Sequence, residues 1–501
     1  MPSEFIVSNP APIERRAFRK LEDDGALRVH TVLSLDATQE LQGETFPSAQ
    51  NINFWQLMQD GLKANFDHVD LRAAPIELIS ASEDQEIALE MMDRIDPWKS
   101  LHYYQRRSLY KFLVSYWVKY LREHKISHFY TRVPPHEVAD YVLYLVCKWM
   151  SIRVVTFNYT AVPGYWLLGN DYKLPWPDLA ASIRSLQDVP ENQIKLSEAT
   201  EASIARILQD YNAATPGYIK DARAIQPGRA SFANTLGGIR KLPARILESA
   251  RHRYYRFRIQ GYQRVDYLEQ QRKALCHKLA MTEYDWLPGY YAEHSSTELP
   301  DAPFVYYLLN FQPENTTVPL GGIFSDQLLA VATLAAALPE GWKVVVKEHP
   351  VQFFKAGFVG YLGRDKAYYD ALLSMPGVQL ASLNADHFQF LDSAKAVSTI
   401  TGTVGWEALL REKPVIVFGE AWYQQAPGCF RAKTLEECKA AVLSIQEGAL
   451  PDLQGLRKFA AAVEGTAEKI HFVPEEARWA DEEFSLEQYA ATLEAAVRKT
   501  L

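Results

Sequence analysis

The chain has 501 residues, of which 48% are hydrophobic and 23% are charged, and its formal net charge is −8. This length predicts two to three domains, and the composition is typical of soluble globular proteins. The negative charge argues against a general nucleic-acid binder, so we expect no nucleic-acid partner. The four cysteines are scattered without a CxxC pair, which predicts neither a zinc site nor a disulfide framework.

The first part of the chain, about residues 1–195, mixes strand and helix patterns. SHFYTR (Ser127 to Arg132) and IRVVTFN (Ile152 to Asn158) have the composition of buried strands, and the apolar ADYVLYLVCKWM between them has helix length. This βαβ unit predicts parallel strands. Upstream, residues 101–124 have apolar positions at helical spacing, and PIELISA (Pro75 to Ala81) is a further strand candidate.

A polar cluster follows the first strand of this unit. His136, Glu137 and Asp140 can supply a general base or acid to an acceptor hydroxyl. The same residues also suit an N-terminal capping cluster, because acidic side chains favour the first turn of a helix. Their position in a loop after a strand favours the functional interpretation.

The second part, residues 196–298, has mostly helical patterns and a basic centre. Residues 240–273 contain ten Lys or Arg and three acidic residues. One interpretation is a solvated helical hairpin whose arginines extend over apolar surface. The other is a surface for anionic lipid head groups or an anionic acceptor, and here Arg251 to Arg264 is the candidate membrane contact.

The third part, residues 299–445, is the clearest α/β segment. The strand candidates PFVYYLLN, WKVVVK, GVQLAS, AKAVSTI and PVIVFG alternate with helical segments. This alternation predicts a doubly wound parallel sheet. The final part, residues 446–501, has helical segments rich in Ala and Glu.

The motif Lys347-Glu348-His349-Pro350 follows a β-branched run directly. Lys347 offers a point charge for phosphate, and His349 can donate a hydrogen bond or act as an acid toward a leaving group. Pro350 fixes the turn. The alternative is a solvated strand end, but the position before a ligand-binding crevice favours a phosphate site.

A second motif, TITGTVG, lies between a strand and a helix. If the segment is extended, Thr399, Thr401 and Thr403 point to one side, and Gly402 lets the backbone approach a ligand. The N–H groups of the following helix then face an anion. Helix capping by a threonine is compatible with this. Glu407 in the first turn favours the helix dipole or accepts hydrogen bonds from a ribose, and the sequence leaves both open.

Three further polar side chains follow the first strand of this part. Gln312, Glu314 and Gln327 can line the cleft beside a donor sugar. A turn-forming loop is an equally good interpretation of this segment.

The run from PFVYYLLNFQPENTT through GGIFSDQ, GWKVVVKEHP and TITGTVGWEALLREKPVIVFG to WYQQAPG resembles the capsule polysaccharide biosynthesis family. Its better-known members are 3-deoxy-manno-octulosonic acid (Kdo) transferases of Gram-negative capsule assembly. The resemblance is strong over about residues 300–430 and weaker at PPHEVADYVLY. It implies an α/β fold of GT-B type, with two Rossmann-like domains facing a cleft, a helical insertion, and C-terminal helices that cross back to the N-terminal domain.

The family resembles bacterial sialyltransferases, which carry a His-Pro motif and a hydroxyl-rich motif around the donor phosphate. His349 and Pro350 match the first motif, and Thr399, Thr401 and Thr403 stand at the second. Threonines replace a serine pair here, so a CMP-sugar is one candidate donor among several.

The resemblance therefore implies a glycosyltransferase that moves a sugar such as Kdo from a nucleotide-sugar to a growing surface polysaccharide or glycolipid. We expect no metal and no cofactor. The N-terminus lacks the pattern of a signal peptide, and no apolar stretch reaches the ~18 residues that span a bilayer. We expect a cytoplasmic protein, peripheral on the inner face of the cytoplasmic membrane.

Three alternatives share this fold or its motifs. They are a polyol-phosphate transferase that uses CDP-glycerol, a nucleotide-sugar 2-epimerase, and a non-catalytic partner in polysaccharide assembly. The intact Lys, His and Thr set favours an enzyme over a scaffold. Inverting and retaining mechanisms both remain open, since a carboxylate near Asp140 can act as base or nucleophile.

Overall fold

The computed structural model describes residues 2–35, 46–63, 75–95, 101–173, 176–209, 286–312, 317–353, 363–480 and 482–501. The basic segment with Arg251 to Arg264 lies outside the described residues, and so does Glu314.

The N-terminal half is built on a mainly parallel sheet. Its strands are β1 (Ser3–Ser8), β2 (Leu27–Ser34), β3 (Gln50–Asn53), β4 (His128–Thr131), β5 (Arg153–Tyr159), β6 (Tyr165–Gly169) and β14 (Glu468–Lys469). Their order is β14-β6-β5-β4-β1-β2-β3. Strands β1 to β5 pair in parallel, whereas β6 is antiparallel to both of its neighbours. The predicted parallel βαβ unit is confirmed as β4, a helix and β5.

Helices cover this sheet. They are α1 (Pro12–Asp23), α2 (Phe54–Lys63), α3 (Ile76–Ser80), α4 (Ser82–Ile95), α5 (Tyr103–His124) and α6 (Val138–Trp149). The prediction of a strand from Pro75 to Ala81 was wrong, because this segment is the short helix α3. Pro75 precedes its first turn, Glu77 lies in that turn, and Ile76 is exposed, whereas Leu78 is buried and Ile79 packs partly buried against the same core. The Tyr110 hydroxyl donates to the Leu78 carbonyl oxygen at 2.8 Å.

The C-terminal half contains a second sheet. Its strands are β7 (Ser295–Ser296), β8 (Phe304–Leu308), β9 (Lys343–Lys347), β10 (Val378–Ala381), β11 (Ala396–Thr399), β12 (Val415–Val417) and β13 (Cys429–Arg431). They run in the order β13-β12-β11-β8-β9-β10-β7, and every pair is parallel. This order confirms the predicted doubly wound sheet. The chain winds one way from β8 to β10 and the other way from β11 to β13, so the switch point lies between β8 and β11.

Most remaining helices belong to the C-terminal half. They are α7 (Pro177–Leu186), α8 (Glu198–Gln209), α9 (Gln327–Ala337), α10 (Lys366–Ser374), α11 (His387–Ser393), α12 (Val404–Leu410), α13 (Leu435–Gln446), α14 (Leu453–Thr466), α15 (Pro474–Trp479) and α16 (Leu486–Arg498). Short helical turns occupy Glu191–Gln193, Thr317–Leu320 and Gly322–Ser325, and residues 286–293 are helical. Across the described ranges, no helix has both the length and the apolar character needed to cross a membrane.

The two halves exchange chain segments. Leu493 of α16 packs in one core with Phe5 and Phe18 of the N-terminal half, which confirms that the C-terminal helices cross back. In the other direction, Leu179 of α7 shares a core with Trp406 of the C-terminal half. The two crossings lie side by side, because α7 contacts α14 and β14 pairs with β6. The halves are therefore joined by two adjacent connections.

Replacing Leu493 with Ala tests this crossing. Leu493 is fully buried, so the cavity should lower the free energy of unfolding by about 2–5 kcal/mol in urea denaturation. Gln488→Ala on the exposed face of the same helix is the matched control, expected to change it by less than about 0.5 kcal/mol. Equal effects of the two variants would show that α16 does not pack as described.

Candidate functional site

Both motifs predicted to bind phosphate lie at the carboxyl edge of the C-terminal sheet. Strands β9, β8 and β11 are consecutive neighbours in that sheet. His349 follows β9 and Thr401 follows β11, so two strand spacings of about 4.8 Å separate their strands. The loop after β8 runs between them, at the switch point where doubly wound sheets bind ligands.

Asn310, which the sequence analysis did not identify, holds the loop after β8. Its side-chain Oδ1 accepts hydrogen bonds from Thr399 Oγ1 at 3.0 Å and from the Ile400 N–H at 3.3 Å. Gln327 accepts from its N–H at 2.7 Å and donates to its carbonyl oxygen at 3.0 Å. Gln327, a predicted cleft residue, thus fixes the backbone of this loop. The signal in the sequence was an asparagine at the end of the strand candidate PFVYYLLN.

Glu348 forms the centre of the loop after β9. It is 1% exposed, and its carboxylate accepts from Arg364 Nε at 2.7 Å, from the Tyr369 hydroxyl at 2.8 Å and from the His349 N–H at 2.7 Å. Arg364 Nη2 also donates to the Asn310 carbonyl oxygen at 3.1 Å. One buried ion pair therefore connects the loops after β8 and β9, and through Asn310 the loop after β11.

His349 is half-buried within this frame, and Pro350 continues the turn after it. The Val351 N–H donates to His349 Nδ1 at 3.4 Å, so the neutral ring carries its proton on Nε2. Burial and, secondarily, the positive charge of Arg364 lower the pKa of His349 to about 3. The ring is thus a neutral hydrogen-bond donor at physiological pH.

The Lys347 side chain does not point in the same direction as His349. Its Nζ donates to the Ala385 carbonyl oxygen at 2.9 Å, ahead of α11, and burial lowers its pKa to about 8. The predicted contact between Lys347 and phosphate would require the amine to leave this carbonyl.

The three threonines differ in their surroundings. Thr399 Oγ1 is within hydrogen-bonding distance of Asn310 and of the Leu308 carbonyl oxygen, at 3.1 Å from the latter. Thr401 is 9% exposed, and its hydroxyl has no hydrogen-bond partner among the described residues. Thr403 starts α12 without a side-chain cap, which leaves the N-terminal N–H groups of this helix uncapped by it. Thr401 and the start of α12 are therefore suited to an anion.

Two glycines let this loop pack closely. The Tyr423 hydroxyl donates to the Gly402 carbonyl oxygen at 2.6 Å, and a Cβ at Gly405 would lie 2.1 Å from that hydroxyl oxygen. A Cβ at Gly402 would lie 2.9 Å from Thr399 Oγ1. Glu407, further along α12, is half-buried, and burial raises its pKa to about 7.

A pocket of about 620 Å³ lies between the halves of the molecule. Gln312 and Gln327 line it from the C-terminal half, and Glu90 and Asp93 of α4 line it from the N-terminal half. Ser325 Oγ donates to Glu90 Oε2 across this boundary at 2.6 Å. The two predicted glutamines therefore share one cleft.

A second pocket, of about 710 Å³, lies at the carboxyl edge of the N-terminal sheet. It is lined by residues that follow β1, β2 and β4, among them Ser8, Ser34 and Thr131. Strands β1 and β4 flank the switch point of this sheet. The predicted residues His136, Glu137 and Asp140 all line this pocket.

The geometry of these three residues separates their roles. His136 Nδ1 donates to the Pro134 carbonyl oxygen at 3.1 Å, which places the lone pair of a neutral ring on Nε2. Asp140 Oδ1 accepts from the Glu137 N–H at 2.9 Å, at the start of α6. Asp140 therefore caps the first turn of this helix, the alternative that the sequence left open.

Comparison with solved structures gives distant likenesses. The beta Kdo 2,7 transferase KpsC of Thermosulfurimonas dismutans has a TM-score of 0.29 and 10% identity, covering 82% of this chain and 96% of that chain. The beta Kdo 2,4 transferase KpsC of the same organism has a TM-score of 0.28 and 12% identity, and the alignment covers 67% of this chain and 79% of that chain. A UDP-GlcNAc 2-epimerase from Neisseria meningitidis, bound to UDP-GlcNAc, has a TM-score of 0.24 and 12% identity, and the alignment covers 93% of this chain and 99% of that chain. Likeness at this level does not identify an activity.

Sequence comparison is more specific. A comparison with curated proteins gives no significant match. Residues 245–447 match the sequence model of a family described as capsule polysaccharide biosynthesis protein. The matched range includes the strands β7 to β13 and both motifs at their carboxyl edge. This match over residues 245–447 confirms the resemblance to the capsule polysaccharide biosynthesis family that was found in the sequence.

Proposed function

We propose that the protein is a glycosyltransferase that moves a sugar from a nucleotide-sugar donor to a growing capsular polysaccharide or other surface glycan or glycolipid. The supporting observation is the carboxyl edge of the C-terminal sheet. There, the buried Thr401 hydroxyl, which has no partner among the described residues, the imidazole of His349 and the start of α12 follow strands β9 and β11 beside the switch point. Such donors suit a phosphate.

In this proposal the donor phosphate is the leaving group. Negative charge grows on it as the glycosidic bond breaks, and hydrogen-bond donors already in place stabilise that charge. Thr401, His349 and the α12 N–H groups fill this role, and the mechanism includes neither a metal ion nor a cofactor. Glu407, on the same helix, accepts hydrogen bonds from the ribose hydroxyls.

The acceptor occupies the N-terminal pocket. His136 presents an Nε2 lone pair there, so it deprotonates the acceptor hydroxyl in an inverting reaction. Glu137 and Asp140 hold the start of α6 and thereby the loop that carries His136.

The family suggests the donor class. Kdo or a related acidic sugar, carried on CMP, is the first donor to test, and Gln312 and Gln327 line the cleft where the sugar would lie. We place the reaction in the cytoplasm, at the inner face of the membrane, with Arg251 to Arg264 as the contact with anionic lipid.

The donor site predicts selective stabilisation by a nucleotide. One member of a panel of CMP, CDP, UDP, GDP and TDP, present at about 100 times its dissociation constant, should stabilise the protein by about 2.7 kcal/mol in a thermal-shift assay. His349→Ala should lose this stabilisation, and His294→Ala, an exposed histidine of the same half, should retain it. Absence of a shift with every nucleotide would favour a non-catalytic assembly partner.

The two buried threonines predict opposite effects. Thr399→Val removes a partner of Asn310 and should lower the free energy of unfolding by about 1–3 kcal/mol. Thr401→Val removes an unpaired hydroxyl, so stability should be unchanged or higher, yet nucleotide affinity should fall about tenfold. Isothermal titration and urea denaturation measure the two quantities. Unchanged affinity in Thr401→Val would remove Thr401 from the site.

The acceptor pocket predicts a variant that binds donor but does not transfer. His136→Ala should lower the transfer rate by about 10²–10⁴-fold while nucleotide stabilisation remains. Asp140→Asn keeps a capping side chain and is the control, with a much smaller loss of rate. Comparable losses in both variants would indicate a shared structural role.

A further inference from the structure

We infer that the buried Glu348–Arg364 pair is a positioning device for His349, which holds its imidazole as a hydrogen-bond donor through Nε2 and prevents it from acting as an acid. The catalytic consequence rests on the proposed function. The state of the histidine itself can be measured without any substrate.

The first support is the way in which Glu348 is held. Its side chain is surrounded by donors, namely Arg364, the Tyr369 hydroxyl and the His349 N–H. Its own N–H donates to the Tyr291 hydroxyl at 3.0 Å, and this hydroxyl donates to the Ala381 carbonyl oxygen at 2.7 Å. Because both the main chain and the side chain are fixed, the adjoining His349 backbone has one position.

The second support is the orientation of the ring. The turn at Pro350 brings the Val351 N–H to His349 Nδ1. An N–H donor at this atom is compatible only with an unprotonated Nδ1, so the proton of the neutral ring sits on Nε2. A doubly protonated imidazolium would place two donors against each other there.

The third support is the charge around the ring. Among the described residues, the charged group that acts on His349 is Arg364, and Lys347 is turned away toward Ala385. Glu348 does not offer its carboxylate to the imidazole, because that carboxylate is engaged by the guanidinium. A positive charge nearby and burial both oppose protonation of the ring.

It follows that His349 donates a hydrogen bond to the departing phosphate but transfers no proton to it. Stabilisation of the leaving group is then electrostatic. The sequence allowed His349 to be a hydrogen-bond donor or an acid toward the leaving group. Its surroundings favour the role of hydrogen-bond donor.

Histidine NMR on the full-length protein tests this directly. The chain has 12 histidines, and the His349 signal is the one lost in His349→Gln. In the wild type we expect no shift of its Cε1–H signal between about pH 5 and 8, and long-range nitrogen couplings that report Nε2–H. A titration midpoint inside that window, or an Nδ1–H tautomer, would overturn the inference.

The double variant Glu348→Gln with Arg364→Met isolates the pair. The amide oxygen of the introduced Gln still accepts from the His349 N–H. Met occupies the space of the aliphatic part of the Arg364 side chain, and no buried charge is left without a partner. The midpoint of His349 should rise by about one pH unit or more, and the variant and the wild type are both titrated down to about pH 3 so that the two midpoints can be compared. An unchanged midpoint in the folded variant would overturn the role of the pair. If the variant does not fold, the wild-type tautomer and titration still decide.

The nucleotide panel separates this inference from the proposed function. Nucleotide stabilisation with a titrating His349 would leave the transferase proposal standing and reject the positioning pair. If His349 does not titrate between about pH 5 and 8 and no nucleotide stabilises the protein, the positioning role of the pair would stand and the transferase proposal would be rejected.

Discussion

The carboxyl edge of the C-terminal sheet depends on one buried ion pair. Glu348 and Arg364 are 1% and 5% exposed, and the guanidinium joins loops from two strands and, through Asn310, a third. A buried pair contributes little net stability, since both charges lose their hydration. Loss of one partner is costly, because the other is left unpaired in the interior. The pair therefore specifies the arrangement of the loops more than it strengthens the fold.

The same winding occurs twice in the chain. Apart from the short edge strand β7, each sheet starts at its centre, at β1 or β8, extends to one side and then restarts on the other. Each therefore has a switch point at its carboxyl edge, and polar side chains gather at both. The N-terminal edge has a pocket lined by His136, and the C-terminal edge has the buried Thr401 hydroxyl, without a partner among the described residues. In the proposed reaction the first edge supplies the base and the second binds the donor phosphate.

Much of the C-terminal half could be predicted from sequence, because its strands are short β-branched runs and both motifs follow strands directly. Asn310, Glu348 and Arg364 could not be assigned in the same way, since their partners are distant in sequence. Asn310 binds Thr399, 89 positions away, and only the pairing of β8 with β11 brings them together. At Pro75 to Ala81, apolar composition suggested a strand, but Leu78 and its neighbour Ile79 reach the core from a short helical turn against α5.

The paired crossings between the halves restrict how the molecule can deform. The chain passes into the C-terminal half just before α7 and returns at β14, where Glu468 pairs with Trp166 and Lys469 with Tyr165. Ser197 and Thr200 also bind Glu464 at the end of α14. A single linker leaves two bodies free to swivel about it, whereas two connections fastened together remove most of that torsion. Val318 and Leu320 also pack in the core of the N-terminal half, so a third contact opposes rotation of one sheet edge relative to the other.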